Sequence, residues 1–350
     1  MPSHTTKKIR WGILGTGNIA RQFATGVRSS TRGVLATVGS RTQASADEFA
    51  KTYAIPISIG GYEQLINDQS YDALYISTPN TMHHEWTIKA LRAGKHVLCE
   101  KPIGANHAEA QEMFDVAKKT GRVLTEAFMY RAHPQTLRMM ELIRAGEIGT
   151  VRHVRTSFCY HTKKIDGNIR FDASLAGGAI MDIGCYCVSF ARLIAGSEPT
   201  EVNIIADNFG HAVDVFATGT MRFANHLTSS FTFGMNTQAD NAAHVLGDEG
   251  HINVPVPWKP APGKGVIIVA RQTPPKQDGA GALVPPVRSV HVDDDRDVYA
   301  VEADAFAQCI LETNVPFMSP DDSLSNMLVL DLMRKQVGSS FTGKTFRHEQ

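Results

Sequence analysis

The sequence predicts an α/β protein in two parts: an N-terminal doubly wound parallel sheet, then a C-terminal α/β domain with a large, mostly antiparallel open sheet. Three observations carry this expectation. From Ile9 to Ala127, short apolar runs alternate with helix-length segments, the signature of successive βαβ units. From Val151 onward the texture changes to longer β-rich stretches divided by turn residues, as in an antiparallel sheet. A chain of 350 residues also exceeds one ordinary core. The boundary is expected near residue 130, giving domains 1–130 and 131–350, with the helix at 321–337 a candidate to pack back on the first.

The strand Ile9–Leu14 runs into Gly15-Thr16-Gly17-Asn18-Ile19-Ala20 and then a helical pattern through Val27. This is G-x-G-x-x-A between a strand and a helix. The first glycine permits the tight turn, the second lets the backbone approach a pyrophosphate, and Ala20 allows close helix–strand packing. Phosphates then sit on the open N–H groups of the helix start. Alone, the motif also fits an ordinary glycine turn; the βαβ units that follow favour a Rossmann dinucleotide site contacted by Gly15, Thr16, Gly17, Asn18 and Ile19. The strand at 33–39 ends in Ser40-Arg41, where an NAD-reading fold usually carries Asp or Glu. A hydroxyl and a guanidinium suit a 2′-phosphate, so NADP is expected rather than NAD. The competing reading is a solvated Arg41 at the start of the helix at 44–53.

A helix at 62–67 precedes a strand at 73–77, which stops at Thr78-Pro79-Asn80 with His83 one turn further on. Small polar groups at a strand end reach a ribose or nicotinamide, so Thr78, Pro79, Asn80 and His83 join the cofactor candidates. His83 and His84 equally suit the surface of a helix at 84–93. The strand at 95–99 then runs into Glu100-Lys101-Pro102, placing an amine at the carboxyl edge of the sheet, where α/β proteins bind ligands. The proline restricts the lysine backbone and admits a cis bond. A helix at 108–120 and a strand at 123–127 lead to an aromatic and basic junction, Phe128 to Pro134.

Beyond a helix at 135–145, strands are expected at 151–160, 201–208, 213–223 and 226–235, with a helix at 181–195 inserted among them. The proline-rich stretch 254–286 reads as loop around one strand at 266–270, and 293–295 as a solvated run of aspartates. Helices at 299–312 and 321–337 close the chain. Gly177-Gly178 lead into the inserted helix, on which Asp182 and Tyr186 stand i, i+4 and share a face. A carboxylate beside a phenol, facing a lysine across a cleft, makes a proton-transfer site. Tyrosine's reference pKa, about 10, is too high for work at neutral pH, and a nearby ammonium lowers it. The competing reading is a helix-start aspartate and a core tyrosine.

Gly15 through Ala20, Glu100-Lys101-Pro102, Glu126 through Arg131, and Gly177-Gly178 with Asp182 and Tyr186 together resemble the Gfo/Idh/MocA family of oxidoreductases, in order and over nearly the whole chain. The resemblance implies a Rossmann domain followed by an α/β domain whose open sheet mediates homodimers or homotetramers. It implies that Lys101 lies beside the nicotinamide with a cis peptide to Pro102, and that Asp182 orients the substrate hydroxyl. Glu100, Lys101 and Arg131 are counted with the cofactor contacts; His161, Arg170 and Phe171 are candidates, with Arg131, for the pocket wall. Inositol dehydrogenase-like members carry histidine where this chain has Tyr186. Tyrosine is similar to the branch holding glucose–fructose oxidoreductase, NADP-dependent xylose dehydrogenase and dimeric dihydrodiol dehydrogenase. The function so implied is NADP-dependent hydride transfer between nicotinamide and a carbinol or carbonyl of a sugar-like substrate, with Tyr186 as acid/base beside Lys101 and Asp182. Dihydrodiols, anhydro-sugars and keto-sugars are alternative substrates, and a non-enzymatic NADP-binding regulator is the alternative of another class.

Bulk properties narrow the field. Lys+Arg and Asp+Glu balance at 35 each, which favours neither nucleic acid nor an anionic membrane as partner. A hydrophobic content of 43% and a charged content of 20% describe a soluble globular protein, and no window reads as the ~20 apolar residues that span a bilayer. Five cysteines are odd in number and lack C-x-x-C spacing, so no metal is expected. With the polar leader 1–8, they point to reduced thiols in a cytoplasmic enzyme. No G-x-S-x-G is present, against a serine hydrolase.

Overall fold

Strand and helix alternate from the first described residues of the computed structural model, which describes residues 7–271 and 286–341. The elements run β1 (Ile9–Leu14), α1 (Asn18–Val27), β2 (Gly33–Ser40), α2 (Gln43–Tyr53), β3 (Ile57–Gly60), α3 (Tyr62–Asn67), β4 (Ala73–Ile76), α4 (Asn80–Arg92), β5 (His96–Glu100), α5 (His107–Thr120), β6 (Leu124–Ala127), α6 (Met129–Ala132) and α7 (Pro134–Arg144). They continue as β7 (Val151–Cys159), α8 (Cys185–Ala195), β8 (Pro199–Asp207), β9 (Phe216–Phe223), β10 (Thr228–Gly234), β11 (Ala243–Gly247), β12 (Gly250–Val254), β13 (Gly265–Arg271), β14 (Val287–Val292), α9 (Val298–Leu311) and α10 (Pro320–Phe341). The leader 1–8 and the loop 254–286 lie partly outside the described residues, at 1–6 and 272–285.

Two units divide the chain: Met1–Leu137 with Trp258–Gly265 and Val292–Leu324, and Arg138–Pro257 with Val266–His291 and Ser325–Gln350. The first unit therefore takes up stretches that the sequence reading gave to the second domain. Its sheet has the order β3-β2-β1-β4-β5-β6 with parallel pairings throughout. That is the doubly wound dinucleotide order, in which the strand order reverses beside β1. Such strands are covered on both faces and read as unbroken apolar runs; Ala73, Leu74, Tyr75 and Ile76 of β4 are all fully buried. Phe23 of α1 stacks on Tyr75 at 3.7 Å, and Trp11 of β1 lies 5.4 Å from Phe306 of α9. A late helix thus closes this core. It is anchored through Asp304, which accepts the Arg32 N–H at 2.9 Å and pairs with Arg296 at 3.0 Å.

The second unit carries an eight-stranded sheet, β14-β13-β12-β11-β7-β10-β9-β8. The described pairings are antiparallel except β7 with β10, so the expected open, mostly antiparallel sheet is borne out. Strands β3, β11, β12 and β14 had no counterpart in the sequence reading; each is four to six residues long, and β14 is almost wholly exposed, so their apolar pattern is weak. Helix α4 begins at Asn80, one residue after Pro79, not at 84. The aspartate run is not simply solvated, because Asp294 pairs with Arg296 at 2.7 Å. The apolar run Ala173–Ala195 is in fact long and apolar enough to cross a membrane, but 83% of its 18-residue apolar window is buried within the fold, the mark of a core helix.

Candidate active site

In the first unit, the predicted cofactor residues gather at the carboxyl ends of β1, β2, β4 and β5. Gly15 follows β1 with φ +102°, a conformation open to glycine, and donates its N–H to the Gly39 carbonyl at 2.9 Å. Gly17 stands at the N-cap of α1 with no side-chain cap, and nothing lies within 4 Å of where its Cβ would be. The first-turn N–H groups have no intrahelical acceptor, and no acid stands in that turn. Thr16 Oγ1 and Ser40 Oγ lie 3.3 Å apart, linking the glycine turn to the end of β2; Arg41 follows, exposed. Its charge opposes the burial that raises the Tyr62 phenol. Thr78 Oγ1 is buried without a partner among the described residues, a polar atom that a ligand hydroxyl or amide would satisfy. An open helix start, a clear approach over Gly17 and an orphaned hydroxyl fit a dinucleotide.

Other candidates are differently occupied. His83, expected to reach cofactor, is fully buried, with Nδ1 2.9 Å from the Pro102 carbonyl and Nε2 2.9 Å from the Thr78 carbonyl. Burial pushes its pKa down to about 4, so the ring is neutral, with both nitrogens against backbone carbonyls. Glu100 is buried at the end of β5 and accepts the Tyr75 hydroxyl. Arg131, on α6, is buried and paired with Asp322. Lys101 is partly exposed beyond β5, and its peptide to Pro102 is cis.

The second unit carries the predicted acid/base residues. Asp182 lies in a π-helical turn, Ile180–Gly184, that runs directly into α8 with Tyr186; such turns recur at functional sites. Asp182 Oδ2 accepts the Tyr160 hydroxyl at 2.6 Å and the Arg170 Nε–H at 2.9 Å. Tyr186 is 4% exposed and meets Phe158 edge-on at 5.2 Å. The glycine pair serves close approach rather than phosphate binding. A Cβ on Gly177 would lie 2.5 Å from the Arg170 carbonyl, and one on Gly178, at φ +112°, 2.3 Å from Asp214 Oδ1. Asp214 accepts the Ile180 N–H at 2.7 Å, capping the helix that bears Asp182 and Tyr186. Burial raises its carboxyl to about 6 against those backbone bonds. His161 is exposed and joins Asn236 in an isolated bridge, while Phe171 packs edge-on against His211 at 5.1 Å.

Residues 9–128 match the family model described as "Oxidoreductase family, NAD-binding Rossmann fold", and residues 136–253 match the GFO/IDH/MocA C-terminal domain. The chain belongs to the Gfo/Idh/MocA oxidoreductase family. Among curated relatives, this family member is 32% identical to D-xylose 1-dehydrogenase (NADP(+)) 2 of Haloferax volcanii, over 92% of this chain and 95% of the relative. It is 33% identical to mouse (Mus musculus) trans-1,2-dihydrobenzene-1,2-diol dehydrogenase, over 72% and 76%. The crystal structure of a 3-ketoreductase from Actinomadura kijaniata with NADP and TDP-benzene superposes with TM-score 0.82 at 28% identity, covering 94% and 98% of the two chains.

Some residues of this family member that touch the candidates or lie buried near them escaped the sequence reading. Tyr160 follows directly on β7 and carries no spacing signal toward Asp182, 22 residues away. Asp214 lay inside an expected strand, whereas β9 starts only at Phe216. Glu302 of α9 is fully buried with neither carboxyl oxygen hydrogen-bonded among the described residues, and burial together with nearby Glu100 pushes its carboxyl up.

Proposed function

We propose that this oxidoreductase is NADP-dependent and interconverts a carbinol and a carbonyl on a sugar or polyol. The backbone of Gly15 through Ile19 would hold the pyrophosphate, Ser40 and Arg41 the 2′-phosphate, and Thr78 and Asn80 the nicotinamide-side ribose. NADP, when bound, supplies the nicotinamide C4 that accepts or gives the hydride. Tyr186 removes the proton of the carbinol hydroxyl in oxidation and returns it in reduction. Lys101 supplies the positive charge that this proton transfer needs, and Asp182 orients the substrate hydroxyl. NADP dependence is supported by a relative named for NADP(+), by a 3-ketoreductase solved with NADP, and by Ser40-Arg41.

The observation that carries the reading is Asp182 Oδ2, fixed by Tyr160 and Arg170 four residues before Tyr186. A carboxylate so held presents one geometry to a hydroxyl, which is what orientation requires. Five free, buried thiols fit a reducing, cytoplasmic setting. Association into a homodimer or homotetramer through the eight-stranded sheet belongs to the same proposal; β8 leaves Ile205 78% exposed.

The test follows NADPH absorbance with aldoses, inositols, keto-sugars and dihydrodiols, repeated with NAD. Tyr186→Phe is expected to lower kcat by about 10²- to 10⁴-fold, with NADP binding, read by tryptophan fluorescence, unchanged. A Phe variant that keeps most of its kcat overturns the assignment.

A further inference from the structure

The peptide group joining Pro102 to Ile103 is gripped at both ends by buried side chains. Its carbonyl lies 2.9 Å from His83 Nδ1, and its N–H donates to Glu126 Oε1 at 2.9 Å. The other nitrogen of His83 lies 2.9 Å from the Thr78 carbonyl, so one imidazole spans the loop after β4 and the loop after β5. His83 and Glu126 are both 0% exposed, so no water stands ready to replace a lost bond. Both stem from rigid elements, His83 from α4 and Glu126 from β6.

This arrangement is expensive for a core. A neutral ring has one N–H to give, and here it faces two carbonyls. Burying it costs desolvation that a leucine or methionine on the same helix face would not incur. Its one N–H donates to one of the two backbone carbonyls at the cofactor edge, that of Thr78 at one loop or that of Pro102, next to Lys101, at the other, while the second nitrogen packs against the remaining one. Fixing a reacting group to within a fraction of an ångström is the return such a clasp can give.

We propose that His83 and Glu126 are positioning residues for Lys101, holding the Pro102–Ile103 peptide group and thereby the backbone from which the lysine side chain starts, in register with the Thr78–Asn80 loop. The proposal rests on the reading of Lys101 as a catalytic residue. It assigns His83 a mechanical role in place of the ligand contact expected from the sequence.

A double-mutant cycle tests it. His83→Phe keeps a ring of similar size without donors and is expected to lower kcat about 10- to 100-fold. The NADP dissociation constant, read by tryptophan fluorescence, is expected to move less than about threefold, because kcat and binding separate when only the reacting group is displaced. His83→Gln, which restores an N–H donor, recovers part of the loss. In a Lys101→Ala background, adding His83→Phe is expected to cost nothing further, since residues acting as one unit are non-additive. An equal loss in both backgrounds, or a loss of NADP binding as large as that of kcat, overturns the clasp and leaves the Lys101 reading standing. Full activity of Lys101→Ala alone overturns the Lys101 reading, and the clasp with it. Should His83→Phe fail to fold, Glu126→Leu is read in the same cycle against the same outcomes.

Discussion

Tyr160 donates its hydroxyl to Asp182 Oδ2 at 2.6 Å, the same oxygen that receives Arg170 Nε–H. The tyrosine reaches from the end of β7 and the arginine from the 3-10 turn Ile169–Phe171, so two separate segments set the rotation of one carboxylate. Burial and the adjacent carboxylate both raise the Tyr160 phenol, so it stays a donor throughout the working pH range. Tyr160→Phe is therefore expected to loosen Asp182 and raise KM for the carbinol substrate, lowering kcat/KM by about tenfold for one lost charge-assisted bond of ~1.5 kcal/mol. Steady-state kinetics check this; unchanged constants would mean that Arg170 alone holds the carboxylate.

Arg41 provides a test of cofactor choice. It is exposed immediately after Ser40 at the end of β2. Arg41→Ala is expected to weaken NADP by about 10- to 100-fold, the worth of one hydrogen bond between charged groups, and to leave NAD nearly unchanged. Dissociation constants for the two cofactors, measured at several salt concentrations, decide it, because a lost phosphate contact also flattens the salt dependence.

Acid should unfold the protein partly through its histidines. Burial pushes His83 and His96 from 6.5 down to about 4. A base with a depressed native pKa takes up its proton first in the unfolded chain. Its contribution is therefore complete above pH 6.5 and is lost as pH falls from there toward 4. For fully buried His83 the shift corresponds to ~3 kcal/mol; His96 is more open and contributes less. Thermal melts between pH 7.5 and 4 should fall steeply for the wild type and less steeply for His83→Gln.

Asp214 shifts in the opposite sense. Its carboxyl is raised from 3.8 to about 6 by burial, so the unfolded chain loses this proton first and stability declines as pH rises from 3.8 to about 6. Asn keeps the acceptor for the Ile180 N–H and removes the ionisation. Asp214→Asn should therefore gain stability over the wild type as pH climbs through that window, by at most ~3 kcal/mol, read as a rising difference in Tm. A constant difference across it would show that the carboxyl is not the titrating group.

The parallel sheet was legible because β4 and its neighbours are apolar on both faces and the glycine turn follows β1 directly. The second sheet was read only in part. Its strands have solvated faces, and β14, with no residue buried, carries almost no apolar signal. Within the site, Asp182 and Tyr186 were legible as a pair because helical spacing is a local property. What each side chain touches was not. His83 was read as a ligand contact or as a helix-surface residue; it is fully buried, and the loop after β5, 19 residues on, meets its ring. Glu100 turned inward to Tyr75, and Arg131 found Asp322, 191 residues away. Polar side chains near a strand end have several possible partners, and tertiary packing chooses among them.

The closing of the first core by Phe306 sets an order on biosynthesis. Trp11 and Phe23, which pack on each other, leave the ribosome well before the helix that packs on Trp11, Val298–Leu311. Because domains fold as they emerge, a nascent chain that has just finished Leu137 holds a nucleotide sheet with one apolar flank bare, and it must keep that flank from other chains until the helix Val298–Leu311 has been made.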